Sequence, residues 1–312
     1  MRIVAEHLSY TYNERSPFET AALHDVTLTI EEGEFFGIIG HTGSGKSTFV
    51  QHLNGLIRLP SSLKHAKKRR AKKGQPLPPA PVLKVGDFDL SDKKTDFRAL
   101  RRRVGMVFQY PEYQLFAETV RDDVAFGLKN FSEQKLTEEE IDSAVRAALE
   151  VVGLDFDELK EQSPFELSGG QKRRVAIAGV IVSRPEILIL DEPAAGLDPL
   201  GKKEILELLH RLHREWCRTV IIVSHDMDEI SENCTRAAVF SEGTVKYVLP
   251  PRELFRRTEE LTALGLDVPL TAKLCAALKA RGIVIDCDFT TEDFADKVLA
   301  YAASHPKKEG DA

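Results

Sequence analysis

Leu167-Ser168-Gly169-Gly170-Gln171 is the most informative stretch of the chain, and the run Ile187-Leu188-Ile189-Leu190-Asp191-Glu192 follows it closely. Ser168 is a natural N-cap for a helical run from Gln171 to Val182, so two glycines lie at a helix N-terminus. Exposed backbone amides and the helix dipole attract an anion at such an end. The pentapeptide therefore predicts a phosphate site. A well-capped helix without a ligand is the plain alternative.

A second phosphate-binding pattern lies upstream, in Gly40-His41-Thr42-Gly43-Ser44-Gly45-Lys46-Ser47. It fits Gly-x4-Gly-Lys-[Ser/Thr], in which the glycines let backbone N–H groups wrap phosphates. Lys46 then reaches the β and γ oxygens, and the Ser47 hydroxyl binds Mg²⁺. The helix predicted to begin at Lys46 points its positive end at the same phosphates. This pattern predicts a nucleotide site, against the alternative of a glycine-rich turn.

Two adjacent carboxylates, Asp191 and Glu192, close the apolar run 187–190. Adjacent residues at a strand end point in different directions, so the two groups can divide the work. Asp191 is predicted to bind Mg²⁺ and Glu192 to act as general base for the attacking water. A helix cap or a pair with a lysine is the structural alternative for either residue.

Composition narrows the class of protein. The chain has 312 residues, 42% of them hydrophobic, with a formal net charge of -6, which argues against a surface built throughout for nucleic acid. Its longest apolar stretch, Val175–Val182, is far shorter than the roughly 18 residues that a membrane span needs. The N-terminus turns polar too early for a signal peptide, and the four cysteines form no Cys-x-x-Cys pair. We expect reduced thiols in an intracellular protein that reaches a membrane only through a partner.

The apolar patterns predict an α/β fold. Continuous runs at 35–39, 187–190 and 220–223 are typical of parallel strands buried on both faces. Each run ends in glycine or polar residues, at the sheet edge where ligands bind in such folds. The alternating runs 3–12 and 22–30 instead predict half-exposed antiparallel strands.

Shifts in pattern predict the domain boundaries. We expect a main domain over residues 1–248, with a strand-poor helical insertion at about 110–180. A small C-terminal α/β subdomain is expected over 249–305, followed by a disordered tail over 306–312. The basic and proline-rich segment 61–81 is expected to be a flexible surface loop.

The basic run Lys64–Lys73 has two interpretations. It is a contact for an anionic partner, nucleic acid or lipid head groups, or it is a solvated loop with no specific ligand. Charge runs are usually solvated, which favours the second interpretation.

The order of the motifs resembles the nucleotide-binding domain of ABC (ATP-binding cassette) ATPases, from Ser9 to about Gly243. Residues 40–47 match the Walker A motif, 167–171 the signature motif and 187–192 the Walker B motif. The resemblance implies a P-loop NTPase core with an antiparallel β subdomain and a helical signature subdomain. It also implies ATP as the substrate, Mg²⁺ as the cofactor and hydrolysis as the reaction.

The resemblance assigns roles to single residues. The implied catalytic residues are the base Glu192, the switch histidine His225 and the Q-loop glutamine Gln109. The implied magnesium ligands are Ser47, Gln109 and Asp191. Implied ATP contacts are made by Tyr12, which stacks on adenine in preference to Tyr10, and by Gly40, His41, Thr42, Gly43, Ser44, Gly45, Lys46, Ser47 and Thr48. The implied contacts with the ATP of a partner subunit are Ser168, Gly169, Gly170 and Gln171, and Asp198 belongs to the D-loop.

Two cassettes of this family face each other head to tail, with each nucleotide between one Walker A motif and the other chain's signature motif. This chain has one set of motifs, so the resemblance implies a dimer. The pentapeptide 167–171 then supplies half a site, which a facing chain completes.

Local stretches resemble the ATPases of energy-coupling factor (ECF) transporters, most closely the second, A-prime type: 40–48, 51–56, 108–116 and 264–269. That resemblance implies uptake of vitamins, other micronutrients or metal ions, at the cytoplasmic face of the cell membrane. The implied partners are a paralogous ATPase or a second copy, a transmembrane T subunit and a substrate-binding S subunit, with no specific nucleic acid. It also implies that the C-terminal region dimerises. Leu128 stands where the family pattern has proline.

Two other interpretations stay open at the level of sequence. One is the ATPase of another ABC importer class, bound to a conventional permease. The other is a soluble ABC protein that acts on nucleic acid or ribosomes through Lys64–Lys73. The chain has neither a long coiled coil between its motifs nor a second cassette, which disfavours the soluble interpretation.

Overall fold

The computed structural model describes residues 1–14, 16–59, 79–132 and 134–305. Its strands are β1 (Ile3–Tyr12), β2 (Thr20–Ile30), β3 (Phe35–Ile39), β4 (Val82–Val85), β5 (Phe88–Asp89), β6 (Val104–Val107), β7 (Ile187–Asp191), β8 (Thr219–Val223), β9 (Arg236–Ser241) and β10 (Thr244–Leu249). Its α-helices are α1 (Lys46–Leu53), α2 (Phe97–Arg103), α3 (Val120–Phe131), α4 (Glu138–Val151), α5 (Phe156–Leu159), α6 (Gly169–Ile181), α7 (Pro199–Glu215), α8 (Met227–Asn233), α9 (Pro251–Phe255), α10 (Thr258–Ala263), α11 (Leu270–Lys279) and α12 (Thr291–Ser304), with 3₁₀ turns at Pro111–Gln114 and Pro164–Glu166. Residues 61–78 of the predicted loop 61–81, including the basic run Lys64–Lys73, and the tail 306–312 lie outside the described residues, so the predictions made for them stay predictions.

The larger sheet has the order β10-β9-β3-β8-β7-β6 and is parallel except for β10. The predicted parallel strands are confirmed, with Gly37 opposite Ile222 and Ile189 opposite Ile221. Successive residues of β3 enter two different cores, Phe35 on the side of the helical insertion and Phe36 on the side of the second sheet. Burial on both faces explains why these runs are continuous, and it brings the carboxyl ends of β3, β7 and β8 to one edge.

The second sheet has the order β2-β1-β4-β5, and its strands β1 and β2 are antiparallel, as the alternating runs predict. Ile3 pairs with Ile30 at one end of the β1–β2 ladder and Tyr12 with Thr20 at the other. Helix α1 packs between the two sheets, and Phe49 on its inner face is fully buried. This packing holds the turn before α1 at the edge of the parallel sheet.

The segment between β6 and β7 is helical, as predicted. Helix α4 begins with a capping box in which Thr137 and Glu140 satisfy each other's backbone N–H groups. The apolar positions Ile141, Val145 and Leu149 recur along one face of α4 and are buried. Helices α3, α4 and α6 pack together, so the pentapeptide at the start of α6 is presented by this insertion.

The C-terminal region corrects one prediction. An α/β subdomain was expected over 249–305, but the elements that follow β10 in the described residues are all helices, α9 to α12. The apolar run 283–285 has no strand beside it in the part of the chain that the structure describes. Instead, the neighbouring Asp286 accepts hydrogen bonds from Arg252 and Arg256 of the α9 segment.

Helix α8 connects the C-terminal helices to the edge of the parallel sheet. The Asp228 carboxylate accepts from the backbone N–H of Leu270 at 2.9 Å, and the Glu232 carboxylate accepts from that of Thr291 at 2.6 Å. These two N–H groups belong to the first residues of α11 and α12. Among the described residues, no helix is long and apolar enough to cross a membrane.

Candidate functional site

The glycine-rich turn between β3 and α1 wraps the lysine predicted to bind phosphates. Gly45 has φ 101°, a left-handed conformation, and a Cβ atom there would meet the Ala22 carbonyl oxygen at 2.6 Å. Only glycine fits both constraints. The Lys46 ammonium lies inside the turn and donates to the carbonyl oxygens of Gly40 at 2.7 Å and His41 at 3.0 Å.

The turn fits an anionic ligand. Lys46 is buried, and burial lowers the pKa of its ammonium, while the nearby charges of Glu192 and Asp191 act in the opposite direction. The Ser44 hydroxyl is buried and has no hydrogen-bond partner in the described structure. A buried cation and an unsatisfied polar atom inside a turn of backbone amides are what a phosphate group would satisfy.

Asp191 and Ser47 fit a hard divalent cation. Burial raises the pKa of the Asp191 carboxyl, and a hydrogen bond from the Ser47 hydroxyl lowers it in part. Mg²⁺ prefers carboxylate and hydroxyl oxygens of this kind, and its charge would offset the burial of the carboxylate. The structure therefore brings together two of the three predicted magnesium ligands.

The three predicted catalytic residues lie together, with the Glu192 carboxylate between the other two side chains. Gln109 Nε2 donates to Glu192 Oε2 at 2.7 Å, and His225 Nδ1 lies 3.4 Å from Glu192 Oε1. They come from the segments after β6, β7 and β8, which end at the same edge of the sheet. The Glu192 backbone has φ 52°, and its N–H donates to the Val223 carbonyl of β8 at 2.8 Å. This unusual conformation turns Glu192 toward Gln109 while Asp191 remains at the strand end.

The structure shows a second layer of polar residues that sequence patterns did not single out. The Ser224 hydroxyl donates to the buried Glu229 carboxylate and accepts from the Asp226 backbone N–H at 3.0 Å. Lys202 of α7 pairs with Asp226 and lies 4.0 Å from Glu229 Oε1. Burial raises the pKa of the Glu229 carboxyl. These groups flank His225 in an open pocket of about 360 Å³ that also contains Glu192 and Gln109.

The two candidate adenine-stacking tyrosines have different surroundings. Tyr12 Oη lies 3.2 Å from Thr48 Oγ1, so Tyr12 is next to the helix of the phosphate turn. Tyr10 packs edge-on against the His52 ring with centroids 4.8 Å apart, and burial raises the pKa of its hydroxyl. This geometry favours Tyr12 as the nucleotide contact and Tyr10 as a packing residue.

The pentapeptide forms the start of α6, with Ser168 as the N-cap. Ser168 Oγ accepts from the Gln171 N–H at 3.3 Å, and Gln171 Oε1 accepts from the Ser168 N–H at 3.0 Å. Open space surrounds Gly169 and Gly170, since a Cβ atom on either would meet nothing within 4 Å. Asp198 is likewise occupied in capping, with its carboxylate accepting from the Gly201 N–H at 2.8 Å at the start of α7.

A buried arginine on α6 is another residue to which the sequence patterns assigned no role. Arg173 is 5% exposed and donates to the carbonyl oxygens of Pro193 at 3.3 Å and Ala195 at 3.1 Å. Its Nε lies 3.6 Å from Glu112 Oε2. The only signal in the sequence is a charged residue within the run 171–182, and the pattern of that run predicts a helix without a specific role for this residue.

An exposed aromatic surface lies on the helical insertion. It consists of the exposed rings Tyr113, Phe116 and Phe126, of which the last two contact edge to face with centroids 4.8 Å apart. Phe116 and Phe126 also line a groove of about 230 Å³ between α3 and the sheet. Leu128 is partly buried against the core.

Known proteins resemble this chain over almost its full length. Residues 23–195 match the family model described as ABC transporter. The Energy-coupling factor transporter ATP-binding protein EcfA2 of Caldanaerobacter subterraneus is 46% identical over 302 residues, covering 96% of this chain and 98% of that protein. The protein of that name from Symbiobacterium thermophilum is 48% identical over 295 residues, covering 95% and 94%. The structure of cbiO1 from Clostridium perfringens, described as part of the ABC transporter complex cbiONQ, matches with a TM-score of 0.67 and 36% identity over 87% of this chain and 97% of that one.

Proposed function

The chain belongs to the ABC transporter family as an ATP-hydrolysing energy-coupling factor subunit of the A2 type, and we propose that it powers uptake of a vitamin or another micronutrient through T and S subunits. The observation that carries the mechanism is the meeting of Gln109, Glu192 and His225 beside the phosphate turn. Three groups from three strand ends point at one place, where the terminal phosphate of ATP would lie.

The residues divide the reaction as follows. Lys46 and the amides of the phosphate turn hold the β and γ phosphates of ATP. Glu192 orients a water molecule for in-line attack on the γ phosphorus and takes its proton, as the bond from that phosphorus to the bridging oxygen of ADP breaks. Gln109 holds Glu192 in place through its hydrogen bond, and His225, which lies next to Glu192, would contact the γ phosphate.

Ser47, Asp191 and Gln109 would hold the magnesium ion. An amide that donates through Nε2, as Gln109 does, presents its oxygen as the metal-binding atom. When bound, Mg²⁺ would neutralise charge on the phosphates. Asp191 is held ready for this by its hydrogen bond from Ser47.

The pentapeptide supports a dimer. Ser168 and Gln171 fix the start of α6, and the two glycines leave its amides open to an approaching phosphate. We propose that this surface covers the ATP of a facing subunit, a paralogous ATPase or a second copy, as its own ATP is covered in turn.

The aromatic surface supports a membrane partner. Large exposed rings beside a groove are typical of a protein interface, because Tyr and Phe bury much apolar area there. We propose that Tyr113, Phe116 and Phe126 dock the T subunit at the cytoplasmic face of the membrane. The partly buried Leu128 faces the core rather than this surface, so its departure from the family pattern does not remove the rings.

The test is purification of the chain from native membranes in mild detergent, with identification of every subunit and measurement of ATP hydrolysis. We expect a T-type subunit, a small S subunit and a second ATPase, with turnover that depends on Mg²⁺. A symmetric pair of conventional permease subunits would favour another ABC importer class. Tight, salt-dependent nucleic-acid binding without membrane subunits would favour the soluble alternative.

A further inference from the structure

Arg173 contacts two different segments of the site from inside the protein. It lies on α6, and its guanidinium donates to the Pro193 and Ala195 carbonyl oxygens at 3.3 and 3.1 Å. The third contact is the Glu112 carboxylate, 3.6 Å away. Both segments follow proposed catalytic residues, Glu192 in one case and Gln109 in the other.

Those contacts hold both ends of one catalytic hydrogen bond. Pro193 and Ala195 follow Glu192, whose carbonyl oxygen accepts from the Ala195 N–H at 3.1 Å. Glu112 lies in the 3₁₀ turn Pro111–Gln114, which follows Gln109. The Gln109–Glu192 hydrogen bond of 2.7 Å therefore joins two turns that the same guanidinium holds from behind.

Because the Glu112 carboxylate oxygen is buried, it requires a compensating charge. Glu112 Oε2 is buried with no hydrogen bond among the described residues, so the charge of Arg173 is what compensates it. A planar guanidinium has several N–H donors at fixed angles, so it can contact two carbonyl groups and a carboxylate at once. The ammonium of lysine lacks this planar set of donors. The site depends on this particular side chain for its geometry.

Arg173 also belongs to the helix that carries the signature pentapeptide. It follows Gly169 by one helical turn and lies on the same face. We propose that Arg173 is a positioning residue for hydrolysis, which fixes Glu192 relative to Gln109 and ties that geometry, through α6, to the signature motif that the same chain presents to the facing subunit. The proposal rests on the proposed function, because it assumes that Glu192 and Gln109 act on ATP.

The test compares Arg173→Met with Arg174→Met in the purified transporter complex. Arg174 is a matched control on the same helix, since its guanidinium donates to the Val152 carbonyl at 2.7 Å and to Glu204 at 2.6 Å, away from the site. We expect Arg173→Met to lower kcat about 10-fold or more while KM for ATP changes less than about 3-fold. Arg174→Met should change kcat less than about 2-fold. Equal losses in the two variants, or an unchanged kcat in Arg173→Met, would overturn the proposal.

Two further variants separate positioning from general stability. Arg173→Lys keeps the charge beside Glu112 and serves if the methionine variant does not fold; we expect a kcat between those of the parent and Arg173→Met. In Arg173→Met/Gln109→Ala, the loss should be little larger than that of the more severe single variant, because both changes act on one hydrogen bond. Losses that multiply would overturn the proposal. Absence of ATP hydrolysis in the unsubstituted complex would instead contradict the proposed function itself.

Discussion

Two side chains in the site are buried where their charged forms are less favourable than in water. Burial lowers the pKa of Lys46 and raises the pKa of Asp191, so each group is less easily charged than it would be in solvent. The polyanionic phosphates and a divalent cation would reverse both effects. Phosphate binding would favour the charged form of Lys46, and Mg²⁺ binding would favour the charged form of Asp191.

Glu192→Gln tests the proposed base. Glutamine keeps the size of the side chain but cannot take a proton, so ATP binding should persist while kcat falls about 100-fold or more. Single-turnover hydrolysis and equilibrium binding of ATP measure the two effects separately. Substantial remaining hydrolysis would remove Glu192 from this role.

Lys46→Ala tests the phosphate turn. Loss of a charged donor to the phosphates should weaken ATP binding about 10- to 100-fold. Calorimetric titration with ATP measures the affinity, with Lys203→Ala as the control because Lys203 is an exposed residue of α7 that pairs only with Glu207 on the same helix among the described contacts. Equal affinity in Lys46→Ala and the control would contradict the assignment.

At the scale of elements, the strands and helix starts that depend on residues close together in sequence could be predicted. The antiparallel strands β1 and β2 and the parallel strands follow from side-chain period, and the capping box of α4 follows from N-cap chemistry. The contacts of Arg173 were not predictable, because they join segments that are distant in sequence. The left-handed backbone of Glu192 and the pairing of Lys202 with Asp226 depend on the same tertiary packing.

The aromatic surface on the helical insertion yields a prediction at this scale. Phe126→Ala should weaken capture of the T subunit about 10-fold, because an exposed ring at the centre of an interface contributes on the order of 1–2 kcal/mol. Phe18→Ala is the control, since Phe18 is also exposed but lies on the β1–β2 turn. The measurement is retention of the T subunit during detergent purification. Similar retention by both variants would place the docking surface elsewhere.

At the scale of the whole molecule, the C-terminal helices divide into an anchored part and a surface part. Leu254, Phe255 and Leu261 of α9 and α10 are fully buried in the main core. Helix α12 contributes no buried residue and is joined to α8 through the Thr291–Glu232 hydrogen bond. The prediction of an α/β subdomain is wrong here, because an apolar run such as 283–285 does not show whether a strand lies beside it to pair with.

Two truncations follow from this division. Ending the chain after Thr290 should leave the melting temperature within a few degrees of the parent, because α12 buries little. Ending it after Pro250 should destabilise the fold strongly, since loss of Phe255 alone would cost about 3–5 kcal/mol. Thermal unfolding measures both effects. Sedimentation of the chain that ends after Thr290, which we expect to stay folded, tests the predicted dimerisation by this region. A large destabilisation on removing α12 alone would contradict the division.

The left-handed backbone of Glu192 has a consequence for the evolution of the molecule. A non-glycine residue at φ 52° costs about 1 kcal/mol in every folded copy, whether or not nucleotide is present. Asparagine adopts that conformation more easily but is too short and uncharged to serve as a base. Selection for heat resistance alone would therefore favour a residue other than glutamate here, so the proposed base carries a cost in folding stability.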